Sequence, residues 1–319
     1  MLKHVRVTVL SGLVVSLAAG CGSAGATSAP AGSSAPATAS AASVAPAPSA
    51  AGSAPESTAS QASSASAASA TSFMVSVAAQ QIAVRCNGPD AGRPTIVLMH
   101  GNGGGGTGQF NLVEPHLLTK SRVCTYDRPG SGGSPAPARL PRPITEVVAE
   151  AHAVLAAAKI DAPVFLIGSS EGGALAFMYA QAYPADVAGF VSINPNPPYA
   201  AWIAEAKKVE TPQEVATFEE PDYRGENPEQ IDNRSNSSML TNLLPDSMPY
   251  ALMFDETCDG DTAFCAKVYE PLRALDETLT HLGALGRFVS LPGAGHQIER
   301  TQPAEVNKLV DRLWDQAVK

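Results

Sequence analysis

The segment Gly168-Ser169-Ser170-Glu171-Gly172 sets a serine two residues from a glycine on either side, the G-x-S-x-G spacing of a nucleophilic serine. A serine hydroxyl near its free pKa attacks poorly, so it needs a base and a group that orients the base. Five histidines follow residue 72: His100, His116, His152, His281 and His296. His116, His152 and His281 fall in helical patterns, where a surface or packed imidazole is the simpler role. His100 ends an apolar run at a glycine-rich turn. His296 lies downstream of Ser170 in the turn Pro292-Gly293-Ala294-Gly295-His296, and it is the candidate base. For the acid, the apolar run 249–254 leads into Asp255, Glu256, Asp259 and Asp261. Asp259 stands five residues past that run, an offset at which a turn can aim a carboxylate back along a sheet edge. It is the preferred candidate, with Asp255 and Asp261 as alternatives. The carboxylate would hold the imidazole in one tautomer and stabilise the imidazolium that forms.

Such groups meet only if the elements around them end at one place. Apolar runs predict strands near 73–78, 81–86, 94–99, 121–126, 163–168, 188–194, 249–254 and 287–291. Helical periodicity marks 109–119, 144–159, 171–183, 262–283 and 303–318. Strands alternating with helices predict an α/β architecture with a mostly parallel, eight-stranded sheet and helices on both faces. Ser170 then sits on the turn from strand 163–168 into helix 171–183, where a Cβ at 168 or 172 would collide with the tight backbone. The helix start turns N–H groups and a positive dipole end toward an oxygen that gains charge on acyl attack. The stretch 195–248, rich in Pro, Asn and Glu and with a helical pattern at 200–210, is too long for a bare loop and reads as a lid insertion.

The remainder of the 319 residues has a different character. Residues 22–72 hold only Ala, Ser, Pro, Gly and Thr apart from Val44, Glu56 and Gln61. They have too little to bury to offset an ordering cost of about 1–2 kcal/mol per residue, so 21–72 is expected to be a disordered linker. Ahead of it, Lys3, His4 and Arg6 precede an apolar run of signal-peptide length. Leu17-Ala18-Ala19-Gly20-Cys21 resembles the lipobox of bacterial lipoproteins, so 1–20 reads as a signal peptide and Cys21 as a lipidated anchor at an extracytoplasmic membrane face. The chain carries 21 Lys and Arg against 30 Asp and Glu, and no clustered basic surface suits nucleic acid. Five cysteines are an odd number. With Cys21 set aside, Cys86, Cys124, Cys258 and Cys265 can pair in three ways; Cys258 and Cys265 are near in sequence, and Cys86 and Cys124 both lie on predicted strands, so 86–124 and 258–265 are favoured. No Cys or His spacing suggests zinc, and no metal or cofactor is expected.

Together, Ser170, Asp259 and His296 in that chain order, with the His100-Gly101 turn ahead of them, resemble the α/β-hydrolase superfamily over most of 80–319. The likeness is greatest to exported bacterial members that have a Cys before the His-Gly strand and another in a segment like Arg122 to Gly132. It implies adjacent strands for Cys86 and Cys124, which strengthens that pairing. It also implies oxyanion donors in the backbone N–H groups of Asn102 and Glu171. Two positions depart from the pattern: Ser169 stands where many members have His, and Asn194 follows a strand where relatives often have Asp. The implied activity of the 73–319 domain is a serine hydrolase working through an acyl-enzyme, with small or medium carboxylic esters as the expected substrates. Amide cleavage, cofactor-free peroxidation and a non-catalytic, membrane-tethered binding module are the alternatives. The side chain of Glu171 is expected to face solvent, the other role being to bind a cationic substrate group.

Overall fold

Along β3 (Ile96–Met99) alternate side chains leave the backbone on opposite sides, and all four are buried. Ile96 and Leu98 join one core, Val97 and Met99 another. β6 (Val164–Ser169) divides in the same way, Phe165 and Ile167 against Val164 and Leu166. A strand apolar at every position is one covered on both faces, and each fully buried Phe, Ile or Leu contributes about 1.5–3 kcal/mol of transfer free energy. The structure, a computed structural model, describes residues 70–103, 105–208, 210–213, 215, 229–257 and 265–319. The expected signal peptide, Cys21, nearly all of the linker, Cys258, Asp259 and Asp261 lie outside the described residues.

The hairpin of β1 (Thr71–Val77) and β2 (Gln80–Asn87) runs antiparallel. β2 is also antiparallel to β4 (Val123–Tyr126), and Cys86 pairs with Cys124 both in register and through a disulfide. Every other pairing of the main sheet is parallel. Its order is β1-β2-β4-β3-β6-β7-β9-β10, where β7 is Val187–Ile193, β9 Tyr250–Asp255 and β10 Gly286–Leu291. The eight strands expected from the sequence are these eight. Arg142–Pro143 (β5) and Ile231–Asp232 (β8) make a further two-stranded pair. Cys265 is disulfide-bonded as well, to a partner outside the described residues.

One face of the sheet is covered by α3 (Ile144–Ala157) and α4 (Glu171–Ala182). The other is covered by α8 (Pro303–Ala317), through Val306, Leu309, Val310, Leu313 and Trp314. Two helical patterns are broken up. Of residues 109–119 only Gln109, the end of α1 (Gly106–Gln109), and α2 (Glu114–Leu117) are α-helical; Pro115, in the first turn of α2, offers no N–H with which to continue a helix from the preceding residues. Around Pro271 a π-helical turn, Cys265–Tyr269, precedes α6 (Glu270–Thr278); proline offers no N–H to the carbonyl four residues back. The insertion between β7 and β9 carries α5 (Tyr199–Ala206), β8 and a 3₁₀ segment, Asn233–Leu240. The last short helix, α7 (Ile298–Thr301), follows His296.

Candidate active site

Ser170 sits between β6 and α4 at φ 56°, ψ −120°, a left-handed conformation that costs a non-glycine residue about 1–3 kcal/mol. The strain persists because the neighbours leave no alternative. A Cβ on Gly168 would lie 2.0 Å from the Gly172 carbonyl oxygen, and one on Gly172 would lie 2.0 Å from that of Met99. The Ser170 N–H donates to the Ile193 carbonyl at 2.8 Å, tying the turn to the end of β7. This turn presents a half-exposed hydroxyl at the carboxyl edge of the sheet, ahead of a helix N-terminus.

The loop opposite it is clamped at several backbone groups, while Asn102 Oδ1 is buried with no partner among the described residues. Gly101 N–H donates to Gln109 Oε1 at 2.8 Å and Gly103 N–H to Glu229 Oε1 at 3.0 Å. The carbonyls of His100 and Gly101 accept from Arg128 Nη1 and Nη2 at 2.7 and 2.9 Å. Between these clamps the Asn102 N–H makes no hydrogen bond among the described residues. A trans peptide points its N–H opposite to its carbonyl, so the grip of Arg128 on the Gly101 oxygen sets the direction of the Asn102 N–H. The loop is close to Ser170, since a Cβ on Gly101 would sit 3.3 Å from the Ser170 Cβ. Burial, then the Arg128 charge, hold the His100 imidazole well below its ordinary pKa. It is therefore neutral, with Nδ1 on the Gly101 carbonyl at 2.7 Å and Nε2 accepting from Arg128 N–H at 3.3 Å. Arg128 is itself fully buried. Burial opposes its charge, and the charge and hydrogen bonds of Glu229, at 2.6 and 3.1 Å, outweigh that and hold it above its ordinary pKa.

His296 follows β10 and hangs from Asn194. That residue takes φ 39° at the end of β7, a region asparagine enters more readily than most residues. Its Nδ2 donates to the carbonyls of Gly295 at 3.2 Å and His296 at 2.9 Å, and its Oδ1 accepts the Asp255 N–H at 3.0 Å. The end of β7 thus ties together the serine turn, the histidine loop and the end of β9. His296 Nε2 is buried with no hydrogen-bond partner among the described residues. Burial lowers the His296 pKa below its ordinary value, and the Asp255 charge works against that. Asp255 Oδ1 accepts the N–H groups of Thr257 at 3.1 Å and Ala294 at 3.0 Å. The Ser170 hydroxyl is turned to Asn196, Oγ to Oδ1 at 3.4 Å, and not to His296; in unliganded sites such catalytic contacts are commonly loose and tighten with substrate.

The sequence expectation for Glu171 is corrected here. Its side chain does not face solvent but is wholly buried, accepting at Oε2 from Asn196 Nδ2 at 2.5 Å and from Asn233 Nδ2 at 3.0 Å. Asn233 comes from the insertion, and its amide replaces the water that a surface carboxylate would bind. A second buried acid, Glu299, escaped the sequence reading. It accepts from Gln109 Nε2 at 2.7 Å and Ser169 Oγ at 3.1 Å, which links the His100–Gly103 loop, through Gln109, and the serine turn to the helix after His296. Burial raises its pKa, with the Gln109 hydrogen bond opposing.

Compared with known proteins, residues 94–245 match the family model described as "alpha/beta hydrolase fold". Among solved structures, the carboxylesterase CesB (YbfK) from Bacillus subtilis superposes with a TM-score of 0.56 at 17% identity, covering 77% of this chain and 91% of that one. The enol-lactonase from Burkholderia xenovorans LB400 gives 0.54 at 18% identity, covering 76% and all of the other chain. Among curated proteins, "Putative carbamate hydrolase RutD" from Escherichia coli O139:H28 is 33% identical over 107 residues. Those residues are 33% of this chain, and the chain spans 39% of the length of that relative. The chain thus has the α/β-hydrolase fold, and just under half of it is similar to the family of that description.

Proposed function

We propose that the protein is a serine hydrolase acting by acyl transfer. The observation that carries this reading is the strained Ser170 turn facing the clamped His100–Gly103 loop, with one loop N–H left to donate. Ser170 Oγ attacks a carbonyl carbon while His296 Nε2 takes its proton. The oxyanion is held by the N–H groups of Asn102 and Glu171, each contributing about 3–4 kcal/mol in the transition state. His296 then protonates the leaving group, and a water activated by the same imidazole releases the acid. Asp259 is proposed to orient His296, and small or medium carboxylic esters are the proposed substrates. Export and anchoring through a lipidated Cys21 complete the proposal, with support from the Cys86–Cys124 disulfide, since such bonds persist in oxidising compartments.

The test is labelling of the full chain with a fluorophosphonate beside Ser170→Ala. Labelling of the wild type that vanishes in the variant is the expected result. A folded wild type that takes no label would return the chain to the binding-module reading.

The pH profile carries a second expectation. An imidazole held below its ordinary pKa stays neutral, and so basic, at neutral pH, and the acid limb of kcat/KM should fall below pH 6.5. Asp255 favours the protonated imidazole. Asp255→Asn should therefore lower the His296 pKa further and move the limb to still lower pH. A limb that stays in place or moves up would refute this account of the electrostatics.

A further inference from the structure

Asn196 stands beside the nucleophile in a fixed pose that the acyl-transfer cycle does not use. Its backbone N–H donates to the Ser170 carbonyl at 3.2 Å, and its Oδ1 lies 3.4 Å from Ser170 Oγ. The side-chain orientation follows from Glu171. A carboxylate oxygen accepting from Asn196 Nδ2 at 2.5 Å and from Asn233 Nδ2 at 3.0 Å requires the amide NH₂ of Asn196 on the Glu171 side. The carbonyl oxygen is then forced toward Ser170. Glu171 is wholly buried and Asn196 only half-buried, so the pair presents a pre-set acceptor at the edge of the site beside the attacking atom.

An ester offers only lone pairs next to its carbonyl carbon and gains nothing from such an acceptor. A secondary amide or carbamate has an N–H there. When the nitrogen leaves, its developing lone pair must face the imidazolium that protonates it, so its existing N–H turns away and needs an acceptor of its own. We infer that Asn196 is a specificity-determining residue whose Oδ1 accepts the N–H of substrates carrying nitrogen on the reacting carbonyl, which extends the enzyme to secondary amides and carbamates. The inference rests on the proposed chemistry of Ser170. The bonds balance: Ser170 Oγ to carbonyl carbon forms, carbon to nitrogen breaks, and the serine proton passes through His296 to the amine. Water then gives the free acid and restores the serine.

The experiment compares wild type and Asn196→Ala on three substrates sharing one acyl group: a p-nitrophenyl ester, the p-nitroanilide, and its N-methyl counterpart, which lacks the N–H. The readout is the ratio of anilide to ester kcat/KM, since loss of the Ser170 contact can alter both rates. Losing one hydrogen bond should lower this ratio about tenfold in the variant, while the ratio for the N-methyl substrate stays within about twofold. An unchanged ratio, an equal fall for the N-methyl substrate, or a wild type that hydrolyses the ester but not the anilide would overturn the inference and leave the serine chemistry standing. No turnover of any substrate together with no fluorophosphonate label would remove both.

Discussion

His296→Ala is expected to lower kcat on a p-nitrophenyl ester by about 10⁴- to 10⁶-fold, the scale on which base and nucleophile act as one unit. The fold should survive, because what holds this loop is backbone. Asn194 grips the carbonyls of Gly295 and His296, and Asp255 grips the Ala294 N–H, and none of these contacts uses the imidazole. Under the proposed roles the two acids should respond differently. An asparagine at 255 can still accept from Thr257 and Ala294 through its own Oδ1, so Asp255→Asn should cost little in kcat. Asp259→Asn should cost about 10⁴-fold, since an amide in the orienting position no longer selects the right tautomer. Steady-state kinetics on the three variants decide the matter. A larger loss from Asp255→Asn would transfer the orienting role to that residue, and an active His296→Ala would end the triad proposal.

Arg128→Met is expected to cost about 3–5 kcal/mol of stability, because it strands the fully buried Glu229 carboxylate without its cation. It also frees the carbonyls of His100 and Gly101, so the direction of the Asn102 N–H is no longer fixed. A further loss of about 10²- to 10³-fold in kcat should follow in protein that remains folded. Urea denaturation of Arg128→Met, Glu229→Met and the double variant tests the first point. The double variant should be more stable than Arg128→Met alone, as replacing a whole buried ion pair is cheaper than leaving half of one. A loss below 1 kcal/mol, or no recovery in the double variant, would mean that the pair does not hold the loop.

The inner strands β3, β4, β6, β7 and β9 were readable from the sequence because burial on both faces makes each one a short continuous apolar run, while β1, β2 and β10 toward the sheet edges are only partly buried. Helices α3 and α8 were readable because each presents a single apolar stripe, whereas α4 is buried all round from Glu171 to Ala180. The Ser170 turn was legible from its two glycines, where backbone approaches too closely for any side chain. The polar frame was not. Gln109 meets Glu299 across 190 positions and Arg128 meets Glu229 across 101, and neither spacing leaves a local trace. Glu171 misled because a lone acid at a helix start is normally solvated. Only the fold brings Asn233 of the insertion down onto it. Asn194 could be seen as a departure from the usual Asp, yet its use as a brace for the histidine loop appears only once β7, β9 and β10 are side by side.

The segment between β7 and β9 invites treatment as an exchangeable cassette, to be swapped among related chains to retune substrate choice. Glu229 argues against such grafts. It belongs to that segment, yet its carboxylate accepts the Gly103 N–H and neutralises the arginine that aims the neighbouring peptide. A chimaera lacking an acid at this point would inherit a buried cation with no counter-charge and a donor loop with one brace missing. Any donor segment would have to arrive with its own carboxylate at that position, or with Arg128 replaced to match.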